Sequence, residues 1–363
     1  MLTDKPLPTE RPTGVGIAAF SMALALSKRG AAIHYICRGE KEEETSIHGN
    51  LTVRTIRHYS KDNLGASLSI MKETIPDVVH VHASAAAPSL VAAWALGRPT
   101  IFHSHSDQPL HPIRLTLIRN IEMTLSRKVI AVSESTRQDL IKNHGVPPEK
   151  IVVAYNGVDP EVFRPIQSYL PVLQKYGLDG FERIILSIGA VQPRKGQLLM
   201  VECLPEILKV WPRTAYVNVG TAYEQSFKDG LLGRARELGV SHAVRLLSGV
   251  PLGDLVALIN AVDLCVHPST KEGFVLAVAE EMACAKPVVA FDIGAMREMI
   301  DNRVDGILVA RGREELVKSI LEVLDDPGMM ERMGAAARDK VVSKFTWEQT
   351  AIRLEQIYHE LHP

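Results

Sequence analysis

Cysteine is scarce: the 363 residues hold four, Cys37, Cys203, Cys265 and Cys284, and no two form a CxxC pair. That excludes a disulfide-stapled scaffold and argues against a zinc or redox pair. Three of the four lie in apolar runs, as buried thiols of a reducing compartment do, and a cytoplasmic location is expected. Long apolar runs are missing as well. No stretch approaches the roughly 18 residues of a membrane span and no signal peptide opens the chain, so neither insertion nor export is indicated. Net charge is also missing: 41 basic against 42 acidic residues leave −1, and no global field draws nucleic acid. Finally, there is no G-x-S-x-G elbow, HExxH pair or P-loop, which removes the main evidence for common hydrolases, metalloproteases and NTPases.

What is present is an α/β pattern. The chain is long for one core, and two domains are expected. From Gly14, helical segments alternate with short apolar runs: AAIHYI, DVVHVH, PTIFHSH, KVIAVS and KIVVAYN. Continuous apolar strands between helices signal a parallel sheet covered on both faces. A second series begins after the turn-rich NGVDPEVFRPI, with RIILSIG, TAYVNVG, VRLLSG, DLCVHPS, KPVVAFD and GILVA. The pattern restarts, so two doubly wound domains are expected: residues 1–165, completed by a terminal helix over 345–363, and residues 166–344. Ligands of such sheets bind outside the carboxyl ends of the strands, and two facing sheets would enclose a cleft. Before Gly14 the sequence is polar and proline-rich, so the first strand is expected to be missing and the start truncated or internal. The acidic stretch KEEETSIHGN, Lys41 to Asn50, reads as a mobile loop.

The segment His267 to Val289 carries most of the chemistry. Turn-forming residues lead into Glu272-Gly273-Phe274, and VLAVAEEMACA then has helical periodicity until Lys286-Pro287 stops it. Free N–H groups of Gly273, Phe274 and Val275 at a helix N-terminus suit a phosphate, while Glu272 and Glu280 suit sugar hydroxyls. Together they point to a nucleotide sugar; a solvated loop Glu beside a helical Glu280-Glu281 pair is the plain alternative. Arg194-Lys195-Gly196 follows a strand, where two cations can neutralise a diphosphate or simply be solvated. His103 and His105 end another strand on one face, and no third ligand for zinc is offered by the spacing. Hydrogen bonding to a polar ligand is expected of His105; His103, and likewise His80 and His82, can equally be packed strand residues. Gly14-Val15-Gly16-Ile17-Ala18-Ala19 fits G-x-G-x-x-A but lacks a preceding apolar strand, so it is weak as a dinucleotide motif. A glycine turn opening a helix explains it as well.

Taken together, TGVG, DVVHVH, HSHS, the run from VIAVSES to DPEVFRP, LSIGAVQPRKG and EGFVLAVAEEMACAKPVVAFDIGAMREMI resemble glycosyltransferase family 4, in order and spacing, from about Gly14 to the C-terminus. The resemblance implies the GT-B fold, two Rossmann-like domains facing across a cleft, and retaining, metal-independent transfer from a nucleotide sugar without a resident cofactor. It assigns Glu272, with the amides of Gly273, Phe274 and Val275, to the donor sugar and phosphate, and Glu280 to the ribose. Arg194 and Lys195 fall on the diphosphate, Gly16 near the phosphate, and His105 beside the transferred sugar. The acceptor, whether small molecule, lipid carrier or glycan, is not implied. Val275 and Ala285 stand where the family often has glycine, and Gly294-Ala295 where it often has a glycine pair. A non-catalytic relative that binds a nucleoside diphosphate and a nicotinamide-dependent oxidoreductase built on Gly14 to Ala19 are the competing readings. The segment His111 to Lys128, with four cations among apolar residues, fits an anionic membrane surface or a helix packed on the sheet.

Overall fold

A computed structural model describes residues 1–6, 13–39, 43–47, 49–56, 63–82, 87–105 and 120–362. The chain divides into two compact units, Met1–Gly157 with Thr346–Pro363, and Val158–Phe345. Half of the segment read as a possible membrane surface, residues 111–119, lies outside the described residues.

The first unit is built on eight strands: β1 Leu2–Pro6, β2 Ile33–Arg38, β3 Glu43–Ile47, β4 Leu51–Ile56, β5 Val79–His82, β6 Thr100–Ser104, β7 Lys128–Ala131 and β8 Ile151–Val153. Their order is β3-β4-β2-β1-β5-β6-β7-β8, and every pair but one is parallel. The strand expected to be missing is therefore present, at the centre of the sheet. Leu2 pairs with Ile36 of β2 and with Val81 of β5. Backbone pairing on both sides holds β1, with Leu2 and Thr3 buried, and no long apolar run marks it in sequence. A second correction concerns the supposed loop after Arg38: residues 43–47 form β3, antiparallel to β4 at the sheet edge. Its glutamates are exposed, as charges on an edge strand that must not recruit another chain are.

The terminal helix Trp347–Leu361 belongs to this unit. Thr346 caps it, accepting from the Gln349 amide at 3.2 Å. Its apolar face buries Ala351, Leu354 and Ile357, while Arg29 clasps Glu355 through two bonds of 2.9 Å. Gly157 makes the return possible: a Cβ there would stand 2.3 Å from the Thr346 carbonyl carbon.

The second unit carries β9 Arg183–Ile188, β10 Thr214–Val219, β11 Val244–Leu247, β12 Leu264–His267, β13 Val288–Phe291 and β14 Ile307–Val309. All are parallel, in the order β11-β10-β9-β12-β13-β14. Strands β9, β10, β12 and β13 are buried along almost their whole length, as parallel strands require. Strand order reverses between β9 and β12, and between β1 and β5 in the first unit. These reversals are where loops diverge and a ligand crevice opens beyond the strand ends.

Candidate functional site

The loops leaving β9 and β12 meet at the switch point of the second unit. After β9 the chain turns through Gly189, at φ +156°, and a short 3-10 turn, Pro193–Lys195, before the helix Gln197–Val210. Gly196 takes φ +75°, and a Cβ on it would stand 2.4 Å from the Pro268 carbonyl oxygen, so only glycine lets the two loops approach this closely. The Thr270 amide donates to the Arg194 carbonyl at 2.9 Å and fastens them.

This contact brings three expected residues together. Glu272 lies between Lys195 Nζ, 2.6 Å from Oε1, and Arg194 Nη1, 3.0 Å from Oε2. Its side chain is only 7% exposed. Burial alone would raise its pKa, but Lys195 and then Arg194 more than offset that and hold it below its ordinary value. Two cations against one carboxylate leave the cluster cationic, suited to an anion with hydroxyls beside it.

Glu280 stands in the helix Leu276–Ala283, and its carboxyl has neither hydrogen bond nor ion pair among the described residues. Burial first, and then the neighbouring Glu281 charge, raise its pKa to about 8. An unpartnered, half-buried carboxyl at the end of a sheet is costly unless something binds it. The helix itself starts later than expected. Val275 is its N-cap, without a side-chain cap bond, so Gly273 and Phe274 belong to the loop ahead of it, and Glu280 lies little more than one turn inside. The β-branched Val275 favours the extended backbone that delays the helix. Phe274 packs edge-on against Phe345 at 5.9 Å.

Three supporting residues escape the sequence reading. Gln197 donates to the Ala190 carbonyl at 2.8 Å and to Asn218 Oδ1 at 3.3 Å, and Asn218 donates to the Gly189 carbonyl at 3.2 Å. Both are buried and shape the turn that presents Arg194 and Lys195. The one trace in sequence is a polar Asn inside the apolar strand TAYVNV. Likewise, His267 Nε2 contacts Glu281 Oε2 at 2.7 Å with both side chains buried, tying the end of β12 to the Glu280 helix. Burial raises the Glu281 pKa, and His267 opposes that rise.

In the first unit, Gly16 does not offer a free amide. The helix Gly14–Lys28 starts ahead of it, and Thr13 Oγ1 caps the helix by accepting from Gly16 N at 3.1 Å. The amides of Gly14 and Val15 are the ones that helix geometry leaves over. His105 lies just beyond β6 with Nε2 on His82 Nδ1 at 2.9 Å, and burial lowers its pKa to about 3. His80, His82 and His103 surround it as one buried cluster, so packing and hydrogen bonding apply to all of them.

Comparison with known proteins follows the same lines. The family described as "Glycosyl transferases group 1" matches residues 172–340, and "Glycosyltransferase Family 4" matches residues 12–162. A D-inositol 3-phosphate glycosyltransferase of Frankia alni is 30% identical over 315 residues, which cover 79% of this chain and 75% of that protein. Its namesake from Thermobispora bispora is 28% identical over 264 residues, 71% of this chain and 61% of the relative, so the chain spans less than two thirds of that relative's length. Among solved structures, a glycosyltransferase of Rickettsia africae has a TM-score of 0.83 at 23% identity, over 99% of this chain and 97% of that one. Anabaena HepE in complex with UDP-glucose has 0.80 at 21%, over 99% and 98%. At these identities the structures speak for the fold alone, and that fold is GT-B.

Proposed function

Because the chain belongs to family 4 of the glycosyltransferases, we propose that it transfers a sugar from a nucleotide-sugar donor to an acceptor hydroxyl with retention of anomeric configuration, without a metal or resident cofactor. The observation that carries this reading is the cluster of Arg194, Lys195 and Glu272 at the β9/β12 switch point, with unpartnered Glu280 on the adjoining helix.

The chemistry follows from where charge moves. Breaking the anomeric C–O bond sends its electron pair to the departing diphosphate and leaves positive character on the sugar ring. Arg194 and Lys195 stabilise the diphosphate, with the loop amides of Gly273 and Phe274 and the Val275 amide beside them, and their two charges supply what a metal ion otherwise would. Glu272 orients sugar hydroxyls rather than attacking as a glycosidase nucleophile, because its two oxygens are already engaged by cations. Glu280 accepts from the ribose hydroxyls, and His105 of the first unit hydrogen-bonds the reacting sugar. An acceptor oxygen attacks on the face from which the phosphate leaves, and its proton passes to that phosphate. Gly16 marks the helix start in the first unit, where the amides of Gly14 and Val15 suit a phosphate oxygen better than its own. HepE, solved with UDP-glucose, supports a nucleotide sugar as donor. A cytoplasmic setting fits four free, buried cysteines, and no helix among the described residues is long and apolar enough to cross a membrane.

The test is donor turnover by the full chain. UDP-, GDP-, ADP- and dTDP-glucose are each incubated with a panel of sugar, inositol and lipid-linked acceptors, with and without a chelator, and nucleoside diphosphate release and product anomer are followed. Release from one donor class, insensitive to chelator, lost in Lys195→Ala and giving an α-linked product from an α-linked donor, supports the reading. Inert nucleotide sugars together with tight binding of NAD would sink it in favour of an oxidoreductase.

A further inference from the structure

Four histidines on two neighbouring strands form an ordered stack. His80 and His82 lie two residues apart on β5, and His103, with His105 just beyond, continues the same spacing on β6, so all four share one face of the sheet. They meet as two edge-to-edge pairs. His80 Nε2 is 3.1 Å from His103 Nδ1 with the rings 5° from parallel, and His82 Nδ1 is 2.9 Å from His105 Nε2. One pair lies over the other: His80 on His82 at 4.3 Å between centroids, His103 on His105 at 4.4 Å. At its far end His80 Nδ1 meets the Tyr358 hydroxyl at 2.6 Å.

His80, His82 and His103 are close enough for a metal, with one nitrogen of each within 4.8 Å of the others. Their directions are wrong for it. The rings of His80 and His103 are 5° from parallel with their facing nitrogens at hydrogen-bond distance, 3.1 Å, whereas ligands at about 2.0–2.1 Å from zinc must converge on a point beside them. A nitrogen pair that faces head-on shares a proton instead, one ring donating and the other accepting.

We propose that His82 is a positioning residue that holds His105 in the Nδ1–H tautomer, so that His105 presents a hydrogen-bond donor to a ligand oxygen. This rests on the transferase reading for what the ligand is, but the tautomer follows from the pair itself. Two neutral rings carry two protons, and one is used in the 2.9 Å contact. The other must sit on His82 Nε2 or on His105 Nδ1, both buried atoms with no hydrogen bond among the described residues. A buried N–H without an acceptor is among the rarest features of folded proteins, while an unpaired acceptor is tolerated better. His82 is completely buried in the sheet, whereas His105 lies at the strand end, where a ligand can supply the acceptor. The free proton therefore sits on His105 Nδ1, and His82 donates from Nδ1 to His105 Nε2. Burial, with the neighbouring imidazoles, keeps His80, His82 and His103 neutral well below the usual histidine range. Among the described residues, the other titratable groups acting on the stack are the Met1 amine and the Tyr358 hydroxyl, and burial keeps the latter protonated.

The test is long-range ¹H–¹⁵N spectroscopy of the full chain with ¹⁵N-labelled histidine, assigned with His105→Gln. The expected result is a neutral His105 protonated at Nδ1, unchanged between pH 5.5 and 8. His82→Asn, whose amide can donate from a similar place, should keep that tautomer. His82→Leu should leave a mixture, with kcat for sugar transfer lowered about tenfold or more and donor KM nearly unchanged. An Nε2–H tautomer in the wild type, a single Nδ1–H tautomer in His82→Leu, or stoichiometric zinc binding that shifts all four rings would overturn the assignment. If the tautomer is found and no sugar is transferred, the transferase reading fails and the hydrogen-bond assignment stands.

Discussion

Replacing Glu280 by Gln should stabilise the protein, and increasingly so as pH rises. In the folded chain the Glu280 carboxyl titrates at about 8, raised by burial and by the Glu281 charge; in the unfolded chain it titrates near its ordinary value of 4.5. Between those values the folded form holds a proton that the unfolded form has released. Stability therefore falls as pH rises through this window, and the loss is complete above the folded pKa. At about 1.36 kcal/mol per unit, the difference between pH 5 and pH 8.5 is at most about 4 kcal/mol, and about 2 kcal/mol once solvent at the half-buried edge is allowed for. Glutamine keeps the size and removes the charge. Urea unfolding of wild type and Glu280→Gln at the two pH values measures it directly, and the variant's advantage should be small at pH 5 and about 2–4 kcal/mol at pH 8.5. An equal effect at both values, or a variant less stable than wild type at pH 8.5, would refute the idea that a half-buried unpartnered carboxylate is tolerated there for binding.

Lys195→Ala should lower turnover on the order of 10²-fold if Lys195 meets developing charge, and turnover unchanged within error would remove it from the site. Gly157→Ala should cost about 2–3 kcal/mol in denaturant unfolding, because its methyl would stand 2.3 Å from the Thr346 carbonyl carbon and the Trp347 amide nitrogen. A cost below about 0.5 kcal/mol would show that the return of the terminal helix is loosely packed. Ala285 has φ +58°, so Ala285→Gly should stabilise by about 1 kcal/mol, read as a higher urea midpoint; a lower midpoint would mean that the strain is absent.

The α/β alternation was legible because parallel strands buried on both faces write themselves as apolar runs. Strand β1 was not, since LTDKP is held by two neighbouring backbones and carries no apolar run. Nor was β3, whose exposed EETSI answers to the demands of a sheet edge rather than to hydrophobic alternation. At the site, Arg194, Lys195 and Glu272 could be named separately, but their ion pairs depend on Gly196 passing Pro268, a contact between loops far apart in sequence. The histidine stack was half visible as HVH and HSH; its pairing needs the register of β5 against β6, which periodicity does not carry. Glu281 read as a mere neighbour of Glu280, and its burial against His267 follows only from the packing of the helix on β12.

The most direct measurement is calorimetric titration of the purified full chain with UDP, GDP, ADP and dTDP, repeated on Lys195→Ala and Glu280→Gln. Binding of one nucleoside diphosphate in preference to the others, weakened at least about tenfold by each substitution, is the predicted result. A folded, monodisperse protein that binds none of the four, or binds one equally well in all three forms, would contradict the assignment of the β9/β12 switch point as the donor site.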